Sequence, residues 1–417
     1  MKILVFGGTS GAQYLAKRLA REEGVEVVHH QHVHPSAEGE GKYVPLKTDT
    51  NGTDQEQRAR ILDLLDTVPL DIAITTTLNY QLWEGFRNKV TEKNIPSLLP
   101  NKEVAMLEWS KAVGKELLTA AGIPTPSYTT YTREELFDKF FEIPRPFVVK
   151  YDKDWRAGMQ TIIITDDNYQ DEYEKLTTTG IKKYTPIHGT TVENFTVEEY
   201  VPGEEEYSYH ALIGKNNWIY LGAARDYKKR YENDIGYNTV GLGAYFQSNI
   251  DPIVHEYVDK ILLELKSRGI EYIGFLYLGV QEGKDGITRI LEINVRPGCP
   301  EFTTILPAIE SNFSKELYNA VTGRDLEPVK MSAEHVVTVR LINKYYCLEK
   351  NRKWQYPKLD NVPEDIEIVY GDEWYLLHAV LIAKGKTRRE AAEKIHNYLK
   401  TVDLGDYTYR KDVGYLD

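Results

Sequence analysis

Polar side chains alternate along one short segment, ITRILEINVRPGCPE, in the C-terminal half of the chain. Alternate residues of a β-strand project from the same face, so Glu292, Asn294 and Arg296 are predicted to lie together. A carboxylate and an amide oxygen suit Mg²⁺ that bridges phosphate oxygens, and a guanidinium suits a carboxylate or a phosphate. Taken alone, the segment is explained as well by a half-exposed strand with an internal ion pair.

Two lysines and an acidic bend are further candidates for a nucleotide site. Lys150 ends the apolar strand PFVV, and Lys111 opens a predicted helix. Glu198, Glu199 and Tyr200 come directly before a Pro-Gly bend, where backbone groups can contact an adenine edge. The plain alternatives are a lysine that solvates a strand end, a surface lysine and an acidic surface hairpin.

A glycine turn separates the first predicted strand from the first helix. Gly7, Gly8, Ser10 and Gly11 allow backbone N–H groups to approach an anion at a helix N-terminus. A nicotinamide dinucleotide is the weaker interpretation, because the spacing departs from G-x-G-x-x-G and the second strand lacks an acidic residue for the ribose. A tight turn or another phosphate fits the segment better.

Histidines are dense at the end of the second predicted strand. His30, His32 and His34 would share one strand face, which could suit a metal ion, and His29 precedes them. No carboxylate or cysteine follows at ligand spacing. A strand end that passes into a solvated loop explains the cluster equally well.

The elements that must position these residues change character along the chain. MKILVFGG, VEVVHHQHV and DIAITTTL are predicted strands that alternate with amphipathic helices, which is typical of a parallel α/β sheet. After Pro126 the pattern becomes antiparallel: PFVVKYD and MQTIIITD are predicted neighbours. GFLYLGVQ and ITRILEINVR are predicted to pair around an Asp-Gly turn. A further helix is predicted over TRREAAEKIHNYLK.

Composition narrows the class of protein. The chain has 417 residues, a charged fraction of 27% and a net charge of -12, so a nucleic-acid partner is not expected. Two cysteines exclude a disulfide framework. No signal segment and no membrane-spanning apolar run are evident, and we expect a cytoplasmic protein.

The order of these motifs resembles the ATP-grasp enzymes, and more narrowly the glycinamide ribonucleotide synthetase family. The strand lysine, EEY-x-x-GEE and E-x-N-x-R follow each other as in that family. The family's GPNTGGMGAY corresponds to GYNTVGLGAY, its EFNCRFGDPE to EINVRPGCPE and its CRKDIGW to YRKDVGY. LEWSKAVGKELLTAAGIPTP is similar to LEGSKAFTKDFLARHKIPTA. The resemblance spans nearly the whole chain in one order.

The resemblance implies an α/β and α+β protein with the ATP-grasp fold, preceded by a Rossmann-like (pre-ATP-grasp) domain. The implied boundaries are an N-terminal α/β domain at 1–124, a small ATP-grasp subdomain at 125–197, a large one at 198–326 and a small C-terminal domain at 327–417. A monomer or homodimer that acts on a small-molecule amine and an amino acid is expected.

The resemblance also assigns roles to individual residues. Glu292 and Asn294 would hold Mg²⁺ or Mn²⁺. The expected ATP ligands are Lys111, Lys150, Arg156, Glu198, Glu199, Tyr200, Val201 and Glu206, with Glu205 a weaker choice than Glu206 for the ribose. The expected catalytic residues are Arg296, Asp226, Lys228 and Asn238. The expected substrate-binding residues are Gly8, Ser10, Thr239, Gly241, Arg410 and Lys411.

Departures from the family pattern keep several functions open. The nucleotide-covering loop ADGLAAGKGV is YDKDWRAGMQTI here, so Arg156 is expected to replace a missing lysine. The Arg-Glu-His group of the N-terminal turn, the acidic GPEAPL loop and GGYPGDY are absent. The leading interpretation is a ligase that makes glycinamide ribonucleotide in purine biosynthesis. The alternatives are a ligase for another amine, such as a modified nucleotide or a secondary-metabolite intermediate, and an inactive nucleotide-binding homologue. A dinucleotide oxidoreductase is the weakest.

Overall fold

The structure is a computed structural model and describes residues 1–31, 43–47, 54–153, 161–179, 193–345, 356–370 and 377–415. The N-terminal elements are β1 (Lys2–Phe6), α1 (Ser10–Ala20), β2 (Glu26–Gln31), β3 (Tyr43–Lys47), α2 (Asp54–Thr67), β4 (Ile72–Thr75), α3 (Leu78–Leu82), α4 (Glu84–Glu92) and β5 (Ser97–Leu98). The strands form a parallel sheet in the order β3-β2-β1-β4-β5. Ile3–Phe6 are fully buried, as expected of a parallel strand covered on both faces. The predicted parallel α/β sheet is confirmed.

Two consecutive helices link this sheet to the rest of the chain, α5 (Lys102–Trp109) and α6 (Lys111–Ala120). Each begins at a capping side chain, since Asn101 Oδ1 accepts from Val104 N at 2.8 Å and Ser110 Oγ accepts from Val113 N at 3.4 Å. A Cβ on Gly114 would lie 2.6 Å from the Leu107 carbonyl oxygen, so only glycine allows this close approach of α6 to α5.

A small antiparallel sheet follows. Its elements are β6 (Tyr128–Thr132), α7 (Arg133–Lys139), β7 (Phe147–Tyr151), β8 (Thr161–Ile164), α8 (Tyr169–Glu174), a π-helix (Lys175–Thr179) and β9 (Asn194–Glu199). The strand order is β6-β9-β7-β8, and Phe147 pairs with Ile164. The predicted pairing of PFVVKYD with the strand after it is confirmed. Leu136, Phe140 and Phe195 form part of its separate core.

A large, mostly antiparallel sheet contains most of the remaining chain. Its strands are β10 (Gly203–Ile213), β11 (Trp218–Asp226), β14 (Gly243–Gln247), β15 (Gly274–Gly283), β16 (Thr288–Asn294), β17 (His335–Asn343), β18 (Ile366–Tyr370), β19 (Leu377–Gly385) and β20 (Tyr407–Thr408). Between them lie a hairpin of β12 (Lys229–Tyr231) and β13 (Ile235–Asn238), two 3₁₀-helices (Glu232–Asp234 and Leu306–Ala308), and the helices α9 (Ile253–Ser267), α10 (Glu301–Ile305), α11 (Phe313–Thr322) and α12 (Arg388–Leu399). The order is β16-β15-β10-β11-β14-β17-β19-β18, with β20 beside β17.

The predicted hairpin of β15 and β16 is confirmed. The two strands pair antiparallel, with Tyr277 opposite Asn294 and Gly279 opposite Glu292. Gly286 has φ +76°, a left-handed conformation that favours glycine in such a turn. The hairpin thereby fixes the direction in which the end of β16 projects.

The fourfold division of the chain stays a prediction. The large sheet runs without interruption across the boundary expected at 326/327, because β14 pairs with β17. In the part of the chain that the structure describes, no helix is long and apolar enough to cross a membrane.

Candidate active site

Three side chains meet at the end of β16, where α6 begins. The Lys111 ammonium donates a hydrogen bond of 2.9 Å to Glu292 Oε2. The Asn294 amide donates to the other oxygen, Glu292 Oε1, at 3.1 Å. Glu292 and Asn294 therefore lie on one face of the strand, as their spacing predicts.

The surrounding charges keep the Glu292 carboxylate ionised. Burial raises the pKa of Glu292, but the positive charges of Lys111, Lys150 and Lys228 outweigh that effect and hold the pKa well below its usual range. The pKa of Lys111 lies above its ordinary value, since the charges of Glu292 and Glu108 outweigh its burial. A carboxylate ionised at all physiological pH values is what a cation ligand requires.

Lys150 joins the small sheet to the large one. Its ammonium lies 3.0 Å from Glu198 Oε1 and donates a hydrogen bond of 3.1 Å to the Leu291 carbonyl on β16. Lys150, which is expected to bind a phosphate, thus contacts the residue of β16 that directly precedes the expected metal ligand Glu292. The site lies where the two sheets meet.

The carboxylate of Glu198 is shared between two lysines. Its second oxygen, Oε2, lies 3.1 Å from the Lys115 ammonium on α6. Lys115 also donates to Thr125 Oγ1 at 2.7 Å. Glu198 was expected among the residues that line the nucleotide base, and its side chain is held by these ion pairs instead.

The residues that follow Glu198 lie at the end of β9 and beyond it. Glu199 accepts a hydrogen bond of 3.0 Å from the Ser127 backbone N–H. Tyr200 is exposed and Val201 is half-buried. Their backbone groups come after the last strand pairing of β9 and take no part in that pairing, and their contact with a base stays a prediction.

Three expected functional residues form one charged cluster: Glu206 on β10, Asp226 at the end of the neighbouring strand β11, and Lys228 in the segment that follows β11. Lys228 makes an ion pair with Glu206 and lies 3.9 Å from Asp226 Oδ1. Burial raises the pKa of Asp226 to about 7, assisted by Glu301 and opposed by Lys228. Burial lowers the pKa of Lys228, but Asp226 and Glu206 outweigh it and the pKa lies well above its ordinary value. Glu206, the expected ribose ligand, therefore lies in the same cluster as Asp226 and Lys228, which are expected to be catalytic.

Arg296 is oriented by a carboxylate that the sequence did not reveal. Arg296 Nε donates a hydrogen bond of 2.8 Å to Glu108 Oε1, and the Val295 backbone N–H donates to Glu108 Oε2 at 2.9 Å. Glu108 is almost fully buried at the end of α5. The pair fixes one edge of the guanidinium close to the Glu292 and Asn294 cluster.

The Asn238–Gly243 loop packs against the segment around Pro300. Thr239 Oγ1 donates to the Lys228 carbonyl at 2.8 Å, and the Gly241 backbone N–H donates to Thr239 Oγ1 at 3.1 Å. Gly241 has φ +82°, and a Cβ there would lie 2.6 Å from Pro300 Cδ. Only glycine fits this position, which explains why the loop keeps a glycine here.

The buried guanidinium of Arg340 on β17 connects that loop to the N-terminal turn. It donates to the carbonyls of Val240 at 2.7 Å and Gly241 at 2.9 Å. It also donates to Ser10 Oγ at 3.2 Å and Cys299 Sγ at 2.7 Å. Ser10 was expected to bind substrate, and in the structure its hydroxyl faces this cation.

The glycine turn itself is tightly packed. Gly7 has φ +149°, and a Cβ there would lie 1.8 Å from Thr76 Oγ1. Gly8 is half-buried beside it. The Ala12 N–H donates to Thr9 Oγ1 at 3.2 Å and caps α1. Gln13, the fourth residue of α1, is 1% exposed, and neither of its amide atoms has a hydrogen-bond partner among the residues that the structure describes.

The histidine cluster does not form a metal site within the described residues. His29 Nε2 lies 2.9 Å from the Gly7 carbonyl, and burial lowers the pKa of His29 to about 3, so the ring is neutral and supports the turn. His32 and His34 lie outside the described residues. The described part of the chain contains no group of three or more His, Cys, Asp or Glu side chains suited to a metal ion.

Two expected substrate ligands lie at the C-terminus. Arg410 is buried and makes ion pairs with Asp412 and, at 2.8 Å, with Asp234. It also donates to the Lys229 carbonyl at 3.1 Å, so its described contacts hold the β12–β13 hairpin. The Lys411 backbone N–H donates to Glu232 at 3.4 Å. A substrate role for either residue stays a prediction. The predicted ATP-binding role of Arg156 also stays a prediction, because Arg156 lies outside the described residues.

Comparisons with known proteins show which proteins this chain is similar to. Residues 109–302 match the family model described as "Phosphoribosylglycinamide synthetase, ATP-grasp (A) domain". The phosphoribosylamine–glycine ligase of Streptomyces coelicolor is 28% identical over 424 residues, covering 100% of this chain and 94% of the relative. That of Allochromatium vinosum is 31% identical over 247 residues, covering 58% of this chain and 56% of the relative.

Solved structures show the same fold. The phosphoribosylamine–glycine ligase of Thermotoga maritima superposes with a TM-score of 0.77 at 24% identity, covering 99% of this chain and 100% of that one. A biotin carboxylase of Campylobacter jejuni superposes with a TM-score of 0.69 at 14% identity, covering 99% of this chain and 94% of that one. The fold and the site together define an ATP-grasp protein.

Within that class the predicted resemblance is confirmed. Residues 109–302 match that family's ATP-grasp domain model, and the whole chain is similar to relatives named phosphoribosylamine–glycine ligase.

Proposed function

We propose that this protein is an ATP-dependent ligase that joins the carboxylate of an amino acid to an amine. The observation that carries the proposal is the junction of the two sheets. There Lys150 contacts the backbone of β16, and Lys111 and Asn294 both contact Glu292. The relatives are named for ligation of phosphoribosylamine and glycine, which supports the same class of reaction here.

In the proposed complex, ATP lies between the sheets. Lys111 and Lys150 bind its phosphates, because both ammonium groups are buried at the junction and point toward the same strand. The backbone of Glu198–Val201 contacts the adenine, and Glu206 accepts from the ribose hydroxyls. Arg156 covers the phosphates from the loop between β7 and β8.

The donor set at the end of β16 fits a hard divalent cation. Glu292 offers an ionised carboxylate and Asn294 an amide oxygen, which are ligands that Mg²⁺ and Mn²⁺ accept. Mg²⁺ keeps several waters and takes substrate phosphates as further ligands, so two protein ligands suffice. When bound, the cation would stabilise charge that develops on the transferred phosphoryl group.

The chemistry consists of two transfers. A carboxylate oxygen attacks the γ-phosphorus of ATP, forming an acyl phosphate and releasing ADP. The amine nitrogen then attacks the acyl carbon, the phosphate leaves as inorganic phosphate, and the nitrogen loses a proton. Arg296 and the Asn238–Gly243 loop orient the carboxylate, and Arg296 stabilises the oxyanion of the second step. Asp226, whose pKa burial raises to about 7, is the proposed acceptor of that proton.

The identity of the amine is the part of the proposed reaction that the sequence and the structure define least. The N-terminal turn carries Thr9, Ser10 and Gln13 where the resembled family has charged and imidazole groups. The hydroxyls of Thr75 and Thr76 donate to the backbone carbonyls of Leu98 and Phe6, so each offers a substrate only an uncharged acceptor oxygen where the resembled family has a carboxylate. These contacts favour a second candidate function, which is ligation of an amino acid to an amine other than phosphoribosylamine.

An ADP-release screen tests the proposal and separates the two candidates. Glycine and other amino acids are paired with phosphoribosylamine and with other primary amines in the presence of ATP and Mg²⁺. ADP release that requires both an amino acid and an amine supports the ligase. A kcat/KM with fresh phosphoribosylamine and glycine on the order of 10⁴ M⁻¹s⁻¹ or more selects the family's own reaction. ATP binding without ADP release for any pair would instead indicate an inactive homologue.

A further inference from the structure

The carboxylate of Glu198 lies between two ammonium groups in the interior of the protein. Lys150 contacts its Oε1 at 3.0 Å and Lys115 contacts its Oε2 at 3.1 Å. The three side chains are 2–8% exposed. Ion pairs at both oxygens restrict the rotation of the carboxylate, although Oε1 has no hydrogen-bond partner among the described residues, so Lys115 on α6 helps to set how Glu198 meets Lys150 on β7.

Lys115 is also tied to the strand that carries the expected metal ligands. It donates to Thr125 Oγ1 at 2.7 Å, and Thr125 Oγ1 donates in turn to the Ile290 carbonyl at 2.8 Å. The neighbouring carbonyl, that of Leu291, accepts from Lys150. Both lysines are therefore anchored to adjacent peptide groups of β16, on either side of Glu198.

The group of three carries an excess of one positive charge when both lysines are protonated. Without Lys115, Glu198 and Lys150 would form a neutral pair, and Glu198 Oε2 would lose a described donor in a buried place. With Lys115 present, one carboxylate faces two ammonium groups and cannot neutralise both. The positive charge of Lys150 is therefore less compensated and can attract a third partner. Burial and the charge of Lys150 lower the pKa of Lys115 to about 7, so any nearby anion favours its protonated form.

We propose that Lys115 is a positioning residue for the nucleotide: it holds Glu198 so that the Lys150 ammonium stays directed at the triphosphate. Lys115 itself is not required to touch ATP. This inference rests on the proposed function only in that a nucleotide phosphate is the partner of Lys150.

The test measures the Kd of MgATP by titration calorimetry, with no second substrate. Lys115→Met and Lys115→Gln should bind MgATP about tenfold more weakly, the size expected for loss of one charge-assisted contact. Lys115→Arg, which keeps the charge, should recover most of the affinity. Lys102→Met removes an exposed lysine from the neighbouring α5, where it contacts Glu84 at 3.0 Å, and should leave the Kd unchanged.

A double-mutant cycle shows whether Lys115 acts through Glu198. In the Glu198→Gln background, Lys115→Met should change the Kd much less than in the wild type, since the carboxylate that it positions is gone. Equal effects in both backgrounds, or a Kd within twofold of wild type for folded Lys115→Met and Lys115→Gln, would overturn the inference. If the methionine variant does not fold, the glutamine variant, which keeps a hydrogen-bond donor, decides alone.

The two proposals fail in different ways. A wild-type protein that does not bind MgATP refutes the ligase itself. Tight MgATP binding by the wild type and by both uncharged Lys115 variants refutes only the role of Lys115.

Discussion

A substitution at Glu108 distinguishes the contribution of the Glu108–Arg296 contact to stability from its contribution to substrate binding. Replacing it with glutamine keeps the shape of the side chain and one acceptor oxygen but removes the charge. In the structure its two oxygens accept from Arg296 Nε at 2.8 Å and from the Val295 N–H at 2.9 Å. The amide can satisfy one of these donors, so the variant loses one charge-assisted hydrogen bond, which is typically worth about 1.5–3 kcal/mol.

The expected loss lies at the lower end of that range. The Arg296 side chain is 29% exposed and can turn its free donors to water, whereas Glu108 is 7% exposed. We therefore expect the free energy of unfolding to fall by about 1.5–2 kcal/mol in Glu108→Gln. Because Arg296 then loses its fixed orientation toward the carboxylate substrate, the KM for the amino acid should rise about tenfold while the KM for ATP changes little.

Chemical denaturation and steady-state kinetics measure the two effects separately. The control is Asp285→Asn, which removes the charge from another arginine–carboxylate pair, that with Arg289 at 2.6 Å, where Asp285 is 48% exposed. It should lose less stability and leave both KM values unchanged. An unaltered KM for the amino acid in Glu108→Gln would refute the proposed role of Arg296, whatever the change in stability.

Three further predictions follow from other parts of the site. Glu292→Gln and Asn294→Ala should each abolish turnover at saturating Mg²⁺ and leave the far-UV circular dichroism unchanged, because each removes a ligand or its charge from the cation; full activity in both would contradict the assignment. Lys115 has a pKa of about 7 and faces Lys150, Glu198 and Glu292, so its charge is present below pH 7 and is lost above it. The Kd of MgATP for the wild type should therefore rise between pH 7 and 8.5, and protons should be taken up on binding. A Kd that does not change with pH would argue against the role of Lys115. Gln13→Met removes a buried amide that has no hydrogen-bond partner in the described part of the chain, so the variant should unfold at a higher temperature than the wild type. A raised KM for the amine alongside that gain would show that the amide is retained for substrate, and a lower melting temperature would show that it is satisfied in solution.

Local sequence patterns were sufficient for much of the fold. The apolar strand before the glycine turn and the Asp-Gly turn before β16 each have one good structural solution, and both predictions are confirmed. The alternation of Glu292 and Asn294 needed only the twofold repeat of a strand. At these positions the local residue types alone predict the strand or the turn, and no contact with a distant part of the chain is needed.

Contacts between distant segments could not be predicted in the same way. Glu108 and Lys115 occupy ordinary helical positions, and their importance comes from partners 188 and 83 positions away (Arg296 and Glu198), which only the packing of α5 and α6 brings near. Arg340 lies in an apolar strand, and its partners come from three separate segments, which are the start of α1 and the loops that contain Val240 and Cys299. A charged residue inside a hydrophobic run, as at Arg340, was the one sequence signal that could have indicated a buried polar contact.

The continuity of the large sheet is a second feature that sequence patterns did not indicate. The sequence did not indicate that β17, which follows the boundary predicted at 326/327, pairs directly with β14. Sequence periodicity identifies a strand but not its neighbour, because pairing depends on the register and exposure of both partners. Arg340 is brought to the N-terminal turn by this pairing.

The transfer of an oxygen isotope from substrate to phosphate tests the central claim most directly. The amino acid that gives the fastest ADP release is labelled with ¹⁸O in its carboxylate and turned over with its amine and unlabelled ATP. If the carboxylate is phosphorylated before the amine attacks, the bridging oxygen leaves with the phosphate, and each inorganic phosphate carries one ¹⁸O. Inorganic phosphate that contains no ¹⁸O while ADP is formed would contradict the account.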